Sequence, residues 1–337
     1  MTHEAASALR DAREALVDAV SAEEQRAWPE RWARFGPTGQ RRCREDARFH
    51  LGVLAAAVDL DEPAVFADYV TWARRLLAAR GIDPAHLDAH LDLLRRLVDA
   101  ALPPGAAAEV ARAIAPAAAG DEAPLAALPA GPEADAFLDA CLAGDGPRAQ
   151  ALARAALDAR GPAALYEQVV RPALYEVGER WLRGELSEPG EHLATATAQV
   201  AIAALYSALP WPAPGPAALV CCVGGERHDL GARLLSDLLA LDGWRSSFLG
   251  ADTPARGLGD LARRQGAVVV ALSATLPTHL GDLLGAVRAV REEHPAARVL
   301  VGGQALRAVP DPAARLGADG WAASAAEAVA LARAWKP

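Results

Sequence analysis

A single lysine, Lys336, and a single methionine are found among the 337 residues, so the basic charge rests almost wholly on arginine. With 34 basic against 43 acidic residues the formal net charge is −9, which disfavours a surface that grips phosphate backbones, and direct nucleic-acid binding is not expected. Cysteine is scarce too. Cys43, Cys141, Cys221 and Cys222 form no C-x-x-C pair, which argues against a disulfide framework and against a structural zinc site. No apolar run approaches the ~20 residues that cross a bilayer, and the first residues are polar and acidic rather than basic then apolar. These absences predict a soluble cytoplasmic protein with no membrane partner.

What is present divides the chain. Residues 1–102 carry helical periodicity: Phe49, Val53, Leu54 and Ala57 share one face, and Phe66, Tyr69, Val70, Ala73 and Leu77 another. Helices are expected over 5–20, 40–58, 63–80 and 84–102. Residues 103–132 are rich in Pro, Ala and Gly and read as a linker with one helix near 106–114. Residues 133–209 supply four further amphipathic helices, expected over 134–143, 146–160, 162–183 and 189–208, which suit a four-helix bundle. The Pro-rich stretch 210–216 reads as a hinge. From 217 to 337 short apolar strands, near 217–224, 244–249, 267–273, 297–302 and 319–323, alternate with helices. That alternation predicts a doubly wound parallel sheet, whose ligands bind beyond the carboxyl ends of the strands.

Three short motifs fall at that edge. Gly225-Glu226-Arg227-His228-Asp229-Leu230-Gly231 follows the first strand, Ser273-Ala274-Thr275-Leu276 the third, and Gly302-Gly303 the fourth. A histidine at a strand-to-helix turn can leave the sheet and bind a metal. A nicotinamide or flavin site would need G-x-G-x-x-G after the first strand, and Gly224-Gly225-Glu226-Arg227-His228 does not supply it. A response-regulator-like sheet would need acidic residues at the first strand end and a later lysine, and Lys336 is the only one.

The three motifs, in this order and at these separations, resemble the cobalamin-binding domain of methionine synthase and its relatives. The resemblance implies that His228 replaces the cofactor's own base as the lower axial cobalt ligand, with Glu226 or Asp229 as its tuning partner and Arg227 beside it. Gly231 would leave room for the displaced nucleotide tail. Ser273, Thr275 and Leu276 would line the tail slot, and Gly302 and Gly303 would remove side chains where the tail passes close to the backbone.

In the bundle, Trp181 is followed by nine residues and then Glu191-His192. This resembles the cap of adenosylcobalamin-dependent light-sensing repressors, which implies that Trp181 covers the 5′-deoxyadenosyl group and that Glu191 and His192 contact it. Two departures stand out: residues 1–100 show no basic recognition helix, and the position beside the cap tryptophan, a histidine in those repressors, is Leu182. Helical residues 1–102, with His50 and several aromatics, weakly resemble globin-like sensor domains. Joined to the cobalamin half they look like photocobilins, which implies a bilin such as biliverdin near His50 and Cys43, with Arg41, Arg42, Arg44 or Arg48 on its propionates.

The expected fold is therefore multidomain α and α/β, with a globin-like helical domain, a helical-bundle cap and a Rossmann-like cobalamin domain. The expected function is a sensor rather than an enzyme: photolysis of the Co–C bond of adenosylcobalamin changes domain or oligomer contacts, read by a homo-oligomer or a downstream signalling protein. The competing reading is a corrinoid carrier of a methyltransferase system, although such carriers typically stop at bundle plus sheet. A mutase would need a large catalytic barrel that is not here.

Overall fold

Apolar runs bounded by turn residues form the three central strands. Strand β1 (Ala217–Cys222) is buried along its whole length, and β3 (Ala267–Ser273) and β4 (Arg298–Gly302) are nearly so, as sheets covered on both faces require. With β2 (Arg245–Phe248) and β5 (Gly320–Ala322) they make a five-stranded, all-parallel sheet in the order β2-β1-β3-β4-β5. The order reverses at β1, so the crevice beyond the carboxyl ends of β1 and β3 is the place where such sheets hold ligands. All five strands fall where the sequence predicts them. Helices α11 (Leu230–Leu241), α12 (Leu258–Gln265), α13 (Leu280–Glu293), α14 (Pro312–Leu316) and α15 (Ala325–Arg333) complete the module.

The computed structural model describes residues 2–116 and 131–337. Two compact units emerge. One holds the described residues within Met1–Glu122 together with Thr275–Leu284 and Gln304–Asp311; the other holds the described residues within Ala123–Ala274, with Gly285–Gly303 and Pro312–Pro337. The loops after β3 and β4 thus fold with the N-terminal helices, a division the three-domain reading of the sequence does not anticipate.

The first unit is built on α1 (Thr2–Asp11), α2 (Arg13–Ala27), α3 (Pro29–Asp59), α4 (Ala64–Ala79), α5 (Ala85–Ala101) and α6 (Pro104–Ile114). The helix expected over 5–20 is two, because the backbone flattens at Ala12 (φ −82°, ψ −4°). The long α3 bends at Gly36, where φ is +60°, and resumes at Pro37, whose missing N–H is harmless in a first turn. Within the stretch 103–132 the helix expected near 106–114 is present and starts two residues earlier. Pro104–Ile114 is a packed helix that buries Ala107, Val110, Ala113 and Ile114; residues 117–130 lie outside the described residues.

The second unit starts with the bundle: α7 (Pro132–Leu142), α8 (Gly146–Leu165), a π-helical turn (Tyr166–Val170), α9 (Arg171–Leu182) and α10 (Glu188–Ala203). Asp145 caps α8 by accepting from the Arg148 N–H at 3.1 Å, and Ser187 caps α10 by accepting from Gly190 at 3.2 Å. α8 bends at Gly161 (φ +78°), so the expected break between 160 and 162 is real. Bundle and sheet share one core in which Phe137, Leu165, Val170, Ala198 and Ile202 meet Leu239, Trp244 and the strands. The Pro-rich stretch 210–216 carries no helix or strand but is tethered: Trp211 Nε1 donates to the Tyr206 carbonyl at 2.9 Å. Among the described residues no helix is long and apolar enough to cross a membrane.

Candidate functional site

The turn after β1 carries the site. Glu226 lies at the start of the excursion from β1 to α11 with no solvent exposure. Its Oε1 accepts from the backbone N–H of His228 at 2.8 Å and lies 2.6 Å from His228 Nδ1. A carboxylate on Nδ1 fixes the ring's orientation and makes Nε2 the nitrogen offered to a further partner. The imidazole itself remains 56% exposed, so a buried acid holds an open base. The histidine's pKa is raised, first by the hydrogen bond its ring donates to Glu226, against the lowering effect of burial, and then by the charges of Glu226, Glu191 and Asp229. Of the two candidates for a tuning partner, Glu226 is the one placed on the ring nitrogen. Asp229 sits at the start of α11 and makes no side-chain cap bond there.

The turn is braced from the loop after β2 by a residue the sequence reading missed. Asp252, at a positive φ of 48°, accepts from the Gly225 N–H through Oδ1 at 2.6 Å, while its own N–H donates to the Glu226 carbonyl at 2.9 Å. An aspartate just after Gly250-Ala251 is a turn signal that tolerates the left-handed region, and this was the available clue. Arg227 points into solvent.

Ser273 closes β3, registered against Cys222 on one side and Gly302 on the other, so the first, second and third motifs meet at one sheet edge. The two glycines of the third motif differ. A Cβ on Gly303, where φ is +103°, would fall 2.0 Å from the Ala274 carbonyl oxygen, so its lack of a side chain is demanded by the neighbouring loop itself. The fold alone therefore requires glycine at Gly303, whatever passes beside it. A Cβ on Gly302 would meet only the Ala322 carbonyl oxygen at 3.3 Å, and one on Gly231 would meet nothing within 4 Å. Gly231 therefore borders open space beside His228. Thr275 and Leu276, both half-buried, belong to the unit of the N-terminal helices.

In the bundle Trp181 is half-buried near the end of α9, and Glu191 and His192 open α10. Glu191 accepts from the Thr195 hydroxyl at 2.8 Å and from His192 Nδ1. Its charge is one of the smaller influences that raise the His228 pKa. Leu182 is buried in the core, so the position beside the cap tryptophan faces inward here. In the other unit His50 is buried, bonded through Nδ1 to the Tyr69 hydroxyl at 3.0 Å and packed edge-on against His90 at 4.8 Å. Arg44 is paired with Asp18 and Arg48 with Glu14, so two of the arginines expected to meet propionates already hold carboxylates.

The donor set fits a corrin. Among the described residues no group of three or more His, Cys, Asp or Glu is arranged to hold a bare metal ion. One oriented imidazole at a sheet edge, with open space beside it, instead suits a metal whose remaining positions come with its ligand.

Comparison with known proteins agrees. Residues 133–206 and 216–330 each match a family described as B12 binding domain. The dimethylamine corrinoid protein of Methanosarcina barkeri is 31% identical over 178 residues, 51% of this chain and 82% of that protein. The chain belongs to the cobalamin-binding proteins. A second relative of this cobalamin-binding chain is the HTH-type transcriptional repressor CarA of Myxococcus xanthus, 42% identical over 103 residues, 30% of this chain and 34% of the repressor. Its compatriot CarH is 31% identical over 176 residues, 51% of this chain and 58% of CarH. The monomethylamine corrinoid protein of Methanosarcina barkeri shares the fold, with a TM-score of 0.52 at 23% identity over 59% of this chain and 96% of that one.

Proposed function

We propose that this cobalamin-binding chain is a light-responsive sensor. Bound adenosylcobalamin would supply a cobalt–carbon bond that light breaks; the chain's part is to hold the cofactor and to convert its loss into a change of domain or subunit contacts. His228 would bind from below through Nε2, oriented by Glu226. Ser273, Gly302 and Gly231 would border the tail, with Thr275 and Leu276 following in the loop. Trp181 would shield the upper ligand, with Glu191 and His192 as its polar contacts. The observation that carries the reading is the oriented His228–Glu226 pair at the strand end, with Oε1 2.6 Å from Nδ1, in a chain whose relatives include the repressors CarA and CarH. The repressor relatives support a sensor, and the signal would pass to a second copy or to a downstream protein.

The test is a visible spectrum of the chain with adenosylcobalamin in darkness and after green light. A lasting change supports the reading, and an unchanged spectrum on a bound cofactor removes it. A bilin in the N-terminal unit belongs to the same proposal, and near His50 it would have to displace the Tyr69 hydrogen bond. Mixing with biliverdin and gel filtration decides it, because failure to co-elute excludes the bilin.

The second reading, a corrinoid carrier of a methyltransferase system, is favoured by the 82% coverage of the dimethylamine corrinoid protein. It expects methyl transfer from bound methylcobalamin to a methyltransferase partner, unaffected by illumination history.

A further inference from the structure

The bundle meets the sheet module through a short irregular stretch. Tyr166–Val170 is a π-helical turn, an uncommon insertion that costs regular helix bonding and is kept mainly where function needs the displaced side chains. Here it displaces them onto the module on two sides. Glu167 Oε1 accepts from the N–H groups of Ala325 and Ala326, at 2.8 and 3.2 Å, in the first turn of α15. Those donors have no partner within their own helix, and the positive end of the helix dipole favours a carboxylate there. Arg171, one turn on, pairs with Glu167 at 2.7 Å and donates to the Ala323 carbonyl at 2.9 Å, gripping the same turn.

On the other side is α11, the helix that follows His228. Its Asp237, buried, accepts from the Tyr206 hydroxyl at 2.6 Å and from the Tyr166 hydroxyl at 3.4 Å. Tyr166 opens the π-turn and Tyr206 opens the short 3₁₀ turn that follows α10, so one carboxylate on α11 holds both ends of the second half of the bundle. Burial raises the carboxyl's pKa, and the hydrogen bond from Tyr206 and the charge of Arg233 oppose that rise.

We propose that this π-turn is the joint on which the bundle is held to the cobalamin module, with Glu167 and Asp237 as positioning residues that set where the Trp181 end of α9 stands. The proposal rests on the cap reading of Trp181 above. Trp181 lies ten residues along α9 from Arg171, a lever of ~15 Å at the helical rise, so a tilt of ~10° at the joint moves the indole by ~3 Å. Bundle and sheet also share one core, so loss of either tie would leave both folded and loosen the angle between them rather than separate them.

Spin labels at Gln199→Cys in α10 and Arg263→Cys in α12, in a Cys43→Ser background, report that angle by pulsed electron resonance, with and without aquacobalamin. One narrow distance is expected for the parent, and a distribution broadened or shifted by ~3 Å for Glu167→Ala. Glu167→Gln, which keeps an acceptor for α15, should restore the parent distance. Azide binding to the upper face of bound aquacobalamin should become about ten-fold faster in Glu167→Ala and stay unchanged in Arg154→Ala, a bundle ion pair remote from the joint. A parent-like distribution in Glu167→Ala overturns the proposal. Should that variant not fold, Tyr206→Phe, which removes the hydroxyl that donates to Asp237, decides by the same readout. If the parent binds no corrinoid, the functional reading fails while the ligand-free distances still judge the joint.

Discussion

Nδ1 of His228 lies 2.6 Å from Oε1 of Glu226, a carboxylate with no exposure to water. The pair divides its work: the acid is spent on orientation, and Nε2 faces outward. His228→Ala should shift bound cobalamin toward a base-off spectrum. Glu226→Gln keeps the shape and loses the charge, and should weaken cobalamin binding about 10- to 100-fold, the usual cost of removing a carboxylate behind a ligating histidine. Titration by absorbance checks both, and parent affinity in Glu226→Gln would deny the carboxylate its part.

Gly303 and Gly231 should respond oppositely to alanine. At Gly303 the new methyl would meet the Ala274 carbonyl at 2.0 Å from a left-handed backbone, so Gly303→Ala should cost about 3 kcal/mol or more of stability with no cofactor present. At Gly231 it would meet nothing, inside the first turn of α11. Gly231→Ala should stabilise the ligand-free protein by up to ~1 kcal/mol through helix propensity and at the same time weaken corrinoid binding. Urea unfolding and spectroscopic titration separate the two, and tighter binding in Gly231→Ala would place the tail elsewhere.

The N-terminal unit should weaken in acid. Burial, and the neighbouring His90, hold the pKa of His50 well below 6.5 in the folded chain. Its surroundings are polar: Tyr69 on its Nδ1, His90 against its ring, and Glu24 on His90 at 2.9 Å. The unfolded chain takes up this proton as the pH falls through about 6.5, whereas the folded chain resists it. Stability present above that pH is therefore lost below it, by up to about 1.4 kcal/mol per pH unit, until the folded pKa is reached. Thermal melts at pH 7 and pH 5 should show a smaller drop for His50→Gln than for the parent.

Trp181→Ala should leave the His228-bound spectrum in place while exposing the upper face. Faster dark exchange of the upper ligand with added cyanide is the expected outcome, and an unchanged rate would show that the indole does not cover it.

The sheet was legible because its signals are local: runs such as Ala217–Cys222 and Ala267–Ser273 are apolar throughout and end in glycine, serine or charge. The strand-end motifs were legible for the same reason, and the turn chemistry of 225–231 exposed His228. What escaped depends on partners distant in sequence. Glu167 reads as an ordinary helix residue until Ala325, 158 positions on, donates to it. Asp252 reads as a turn until Gly225 is found against it. Glu226 and Asp229 are indistinguishable as strings, and only burial separates them. The arginines at 44 and 48 looked available, because Asp18 and Glu14 sit on another helix.

The chain passes through the sheet edge more than once before its N-terminal unit is complete. Leu280, Ala305, Leu306 and Val309, all buried, come from the two excursions after β3 and β4 that fold with helices from the first hundred residues. Severing the polypeptide at residue 131 would therefore not yield two self-sufficient pieces: the amino-terminal fragment would lack part of its own interior, and the remainder would carry two greasy loops stripped of their cover.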